Sequence, residues 1–141
     1  MQSTRLVLYH KQSTSARILF FCLDGTVCQP SGLPPRSQIV SSTLEEEEAT
    51  VTPPPPAFVA EVAKKLGISE EMLEVEAEFQ AIADSAGDAI AVYLTRFTTI
   101  DPPYEQIESG DGRLIAITEA RRLPPVELEL LRLIYSFLMD G

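Results

Sequence analysis

The chain has 141 residues, room for one domain, and 45 % of them are hydrophobic, which is enough for a packed core. Its formal net charge of −10 argues against a nucleic-acid surface, because neutralising phosphates requires clustered Lys and Arg. No apolar run approaches the roughly 18 residues that span a bilayer.

Residues 1–43 are compositionally foreign to the rest. They hold four basic residues, a single acid (Asp24) and eleven Ser or Thr, whereas residues 44–141 hold seven basic and twenty acidic residues. Three readings compete for the first segment: a transit-like leader, a disordered tail, or translated sequence upstream of the true start. Each places it outside the fold. Both cysteines, Cys22 and Cys28, and the one histidine, His10, lie in this segment. A spacing of five residues between cysteines is not a usual zinc spacing, and no second ligand pair follows.

Within the segment, residues 18–30 read ILFFCLDGTVCQP. This stretch resembles the opening motif of the haloacid dehalogenase-type phosphatases, an apolar strand followed by Asp-x-Asp-Gly-Thr. The resemblance implies a doubly wound parallel sheet and a carboxylate nucleophile. Cys22 stands where that nucleophile belongs, and without a carboxylate no acyl-phosphate can form. Residues 109–114, SGDGRL, lack the second acid of the family's magnesium site, and Lys64 and Lys65 fall on an exposed helix face. The match is therefore read as chance.

The boundary itself, SSTLEEEEATVTPPPPAF, passes from hydroxyl-rich to acidic to proline-rich. Pro53 to Pro56 predict a stiff polyproline II linker. The domain division that follows is 1–56, a disordered, leader-like or mis-started segment with its linker, and 57–141, a compact domain.

Phe58, Val59, Val62, Ala63 and Leu66 recur at helical spacing, and Gly67 stops that helix. Lys64 and Lys65 occupy its last turn, where the helix dipole favours cations. In LEVEAEFQA, residues 73–81, apolar residues alternate with Glu74, Glu76, Glu78 and Gln80, which predicts a half-buried strand; its helix formers leave a helical alternative open. The three glutamates read as the wet side of a sheet rather than as paired catalytic or metal-binding carboxylates. DSAGD, residues 84–88, supplies a turn, and residues 89–100, rich in β-branched and aromatic side chains, complete a hairpin. A short helix capped by Asp101 and stopped by Gly110 follows, then a strand over 113–120 and a terminal helix opened by Pro124 and Pro125. The expected fold is α+β: a small antiparallel sheet of about three strands packed with an N-terminal and a C-terminal helix, preceded by a disordered tail.

No catalytic, cofactor-binding or metal-binding residue is assigned, and no cofactor is implied. Arg96, mid-strand, and Arg121 with Arg122, at a strand end, are the residues that could converge on an anion or an acidic partner; pairing with the domain's own acids is the blander alternative. The terminal helix carries an apolar arc roughly 240° wide, beyond the 100° or so that one core covers. Val126, Leu130, Leu133 and Phe137 form one side of it, and Leu128, Leu131, Tyr135 and Leu138 the other. A second chain or the N-terminal helix must cover what the sheet does not.

The function expected from these features is a non-enzymatic, self-associating adaptor or regulatory interaction module. It would be homodimeric through the C-terminal helix, with a protein partner, no nucleic acid and no membrane, in the cytoplasm or an organelle stroma. The alternative is a small-molecule-binding domain or weak enzyme with a pocket between sheet and terminal helix using Arg96, Tyr93 or Glu119.

Overall fold

The computed structural model describes residues 4–12, 17–42 and 54–140. Strand β1 (Thr4–Lys11) is the centre of the molecule. Leu6, Val7, Leu8 and Tyr9 form an unbroken apolar run, the pattern of a strand covered on both faces, and each is at most 2 % exposed. On one side β1 pairs parallel with β6 (Asp88–Phe97); on the other it pairs antiparallel with β2 (Ile18–Cys22) and β3 (Cys28–Gln29). The remaining strands are β4 (Gln38–Ser42), β5 (Leu73–Ser85) and β7 (Arg113–Ile115). Among the described residues the sheet runs β4-β5-β6-β1-β2-β7, seven strands with β3 off that path, and it is mixed.

This corrects the expected fold. The sheet is not a small antiparallel one of about three strands, and residues 4–42 are not a tail: they supply four of the seven strands, including the central one. Composition averaged over 43 residues hid two short apolar runs, LVLY and ILFF, that only a two-sided core can bury. The glutamate run and the first linker proline lie outside the described residues.

Two layers cover the sheet. Helix α3 (Pro125–Asp140) packs on the face carrying Val7, Tyr9, Phe20, Val92 and Leu94. Helices α1 (Pro56–Leu66) and α2 (Tyr104–Ser109) pack on the opposite face, with Leu6, Leu8, Phe21, Tyr93 and Phe97. The first helix follows the expected pattern: its buried side is Val59, Val62, Ala63 and Leu66, and Gly67 ends it in the left-handed region at φ 72°. Gly112 is set by contact rather than by φ, since a Cβ there would lie 2.7 Å from the Phe21 ring.

The strand alternative holds for β5, but its alternation does not run straight through. Pairing with β6 shifts register between Val75 and Gln80, so Leu73 and Val75 join the α1 side while Phe79 and Ala81 join the α3 side. Ala77, expected to point inward, is exposed.

The phosphatase-like stretch has a conformational origin. Asp24 and Gly25 have φ of 53° and 77°, and Leu23 and Thr26 exchange backbone hydrogen bonds at 3.0 and 3.1 Å. That is a two-residue hairpin turn with both central residues left-handed, for which Asp-Gly is a favoured pair. Asp24 is an exposed turn residue, and Cys22 is a core residue 1 % exposed. Ala86 and Gly87 make the corresponding turn between β5 and β6.

The wide apolar arc of α3 is largely taken up within one chain. Leu130, Leu131 and Ile134 are fully buried, and Phe137 packs edge-on against Phe79 with ring centroids 5.3 Å apart. Tyr135 and Met139 are its exposed large apolar residues. No helix among the described residues is long and apolar enough to cross a membrane.

Candidate functional site

Arg96, Tyr93 and Glu119, the alternatives for a pocket between sheet and terminal helix, lie apart. Tyr93 and Arg96 lie on opposite faces of β6, because the odd-numbered Tyr93 faces α1 and the even-numbered Arg96 does not. Arg96 is held at the β5 bulge by Glu74, 3.4 Å away, and Glu76, 3.9 Å away. Tyr93 is buried beside Gln80, and burial pushes its hydroxyl pKa up. Glu119 sits across the sheet in the 3-10 turn Ile117–Arg122. The space between sheet and α3 that was to hold a ligand is filled by Leu130, Leu131, Ile134 and Phe79.

Arg96, Glu74 and Glu76 meet where β5, β6 and β1 lie side by side. The Tyr9 hydroxyl, in the core, donates to Glu76 Oε1. Burial first, and then this bond, hold the Tyr9 pKa well above the usual tyrosine range. Burial likewise raises the Cys28 thiol, with Glu127 nearby adding to the shift. The native state thus retains protons that the unfolded chain has lost above the reference values of about 9 for Cys28 and 10 for Tyr9. Stability from these groups is complete below those values and falls as pH rises through them, by up to about 1.4 kcal/mol per pH unit for each group. Tyr9→Phe should be less stable than wild type at pH 7, and the two urea-unfolding curves should converge above pH ~10. Parallel curves would show that Tyr9 does not carry the linkage.

His10 is also buried; its Nε2–H donates to the Thr99 carbonyl at 2.8 Å. Among the described residues no three His, Cys, Asp or Glu side chains gather as metal ligands would.

A convergence the sequence left half-visible lies at the free end of the sheet. Arg113 and Ile115 of β7, with Thr118, Glu119, Arg121 and Arg122 of the 3-10 turn, line an open groove of about 270 Å³. A strand running straight from 113 to 121 would separate Arg113 from Arg121 by roughly 26 Å at about 3.3 Å per residue. The chain turns at Ala116 instead. The Glu119 N–H donates to the Ala116 carbonyl at 2.9 Å, and Glu119 Oε1 accepts from the Ala116 N–H at 2.9 Å. The strand therefore stops at Ile115, which corrects the expected span of 113–120, and the arginines fold back onto one another's side.

All three guanidinium-bearing residues are exposed, and among the described residues none forms an ion pair. Pairing with the chain's own acids, the blander expectation, describes Arg96 alone of the four arginines 96, 113, 121 and 122. Sequence reasoning singled out Arg121 and Arg122 but not Arg113 or Thr118 as their neighbours. The signal available was Glu119, three residues after Ala116, where it can cap the turn that ends the strand. No protein-family model matches the chain, and no curated protein matches it.

Proposed function

We propose that the protein is a non-enzymatic binding module that takes an acidic partner at the groove formed by Arg113, Arg121 and Arg122. The observation that supports this is the gathering of three exposed guanidiniums, with no ion pair among the described residues, on a chain of net charge −10. A surface so rich in acids would quench scattered arginines; three left open on one groove are available for a ligand's charge. Two buried polar groups have structural partners instead: Glu127 accepts from Thr26 and Val27, and Tyr9 donates to Glu76.

Self-association through α3 would not use Leu130, Leu131 or Ile134, which are buried in the chain's own core. A dimer there would rest on Tyr135 and Met139.

A glutamate-rich peptide should bind wild type at ~20 mM salt and weaken steeply by ~200 mM, as contact between exposed charges requires. Arg121→Gln combined with Arg122→Gln should weaken it at least about tenfold while leaving the unfolding midpoint within a degree or so, because exposed substitutions of this kind scarcely alter stability. Calorimetric titration that finds equal affinity in the double variant would remove the groove from consideration.

A further inference from the structure

Resting on that reading, we infer that the groove is a phosphoryl-group site: the anion it fits is a phosphate monoester or free phosphate rather than a carboxylate. The donors outnumber what a carboxylate can use. Each guanidinium offers five N–H donors and no acceptor, and the Thr118 hydroxyl adds another donor. One carboxylate has two oxygens in a plane and a single charge. A phosphate monoester has three terminal oxygens arranged in three dimensions and a charge of about −1.5 to −2 at pH 7.

The geometry of supply agrees. Arg113 comes from β7, while Arg121 and Arg122 come from the 3-10 turn, so the positive groups reach the groove from two elements. Glu119 is the one acidic residue of the lining, and its Oε1 accepts from the Ala116 N–H, an arrangement that ties the carboxylate to the turn. A volume near 270 Å³ accommodates one such group with its attachment. An extended polyanion is a poorer fit, because the chain's net charge of −10 repels every phosphate beyond the groove.

The phosphoryl group can come from a small molecule or from a phosphorylated side chain, and one set of titrations separates the two. The probes are inorganic phosphate, a phosphoserine peptide, and the same peptide with Glu at that position. The phosphopeptide, or phosphate itself, should bind at least about tenfold tighter than the Glu peptide, since the phosphoryl group carries more charge and a third acceptor oxygen. Phosphate equalling the phosphopeptide identifies a small-molecule source; a phosphopeptide clearly tighter than phosphate identifies a protein. Arg113→Lys keeps the charge but removes the fork, and should weaken the phosphorylated ligand about fivefold or more.

Equal affinity for phosphoserine and Glu peptides would overturn the inference and leave the acidic-partner reading intact. Absence of binding by any of the three probes, together with failure of the glutamate-rich peptide, would overturn both.

Discussion

A chain lacking residues 1–42 should not fold. The deletion removes β1 to β4, and with them the partners of β6, β7 and, at the sheet edge, β5. It also removes Leu6, Val7, Leu8, Tyr9, Ile18, Leu19, Phe20 and Phe21, all at most 5 % exposed and divided between the two faces of the sheet. At about 1.5–3 kcal/mol for each large buried side chain, the lost burial is on the order of 12–24 kcal/mol, an upper-end figure because unfolded chains are partly compact. Domains have only about 5–15 kcal/mol of net stability to lose. Residues 43–141 should therefore be insoluble or show no cooperative urea transition by circular dichroism. A soluble fragment with a sharp sigmoidal transition would mean that the C-terminal part builds its own core.

Glu127→Ala should be among the most costly single substitutions. The carboxylate is 1 % exposed in the first turn of α3 and joins that helix to the hairpin turn. Thr26 Oγ1 donates to Oε2 at 2.7 Å and the Val27 N–H donates to Oε1 at 2.9 Å. Thr26 Oγ1 also accepts from the Cys28 N–H at 3.1 Å, so one hydroxyl serves both the helix and the start of β3. Removing the carboxylate leaves buried donors without an acceptor, which costs about 2–4 kcal/mol. Glu127→Gln, which keeps the shape but turns one acceptor into a donor, should lie between wild type and Ala. Thr26→Val combined with Glu127→Ala should cost less than the sum of the two by about 1 kcal/mol or more, because the two residues share a bond. Additive losses measured by urea unfolding would show that the connection is not energetically coupled.

Gly32 sits against the same junction, where a Cβ would lie 3.2 Å from Glu127 Oε2 and 3.1 Å from Thr26 Oγ1. The turn, the helix start and the following loop thus close on one carboxylate. Asp24, Gly25 and Thr26 form a hairpin turn followed by a hydroxyl bound to a helix.

Local signals were legible where one element decides its own form. Residues 56–67 show this: helical spacing of Val59, Val62, Ala63 and Leu66, then Gly67 at positive φ. The terminal helix after Pro124 and Pro125 is equally self-contained. What escaped sequence reading depends on contacts between distant segments. LVLY and ILFF are short, unperiodic apolar runs whose meaning comes from two covering layers, α3 on one side and α1 with α2 on the other. The width of the α3 arc was visible, but not that β-strands from the first 42 residues would help to bury it. Glu76 carried no sign that a bulge would turn it toward Tyr9. Of the groove, Arg121 and Arg122 were visible, while Arg113 joins them only because the strand stops at Ile115.

The most direct test of the binding account is localisation by NMR. Titrating 15N-labelled protein with the glutamate-rich peptide at low salt should shift the backbone amides of residues 113–122 and the Nε–Hε signals of Arg113, Arg121 and Arg122. Arg96, already paired with Glu74 and Glu76, should stay in place. Shifts centred on another face, or spread over every arginine alike, would contradict the assignment of function to this groove.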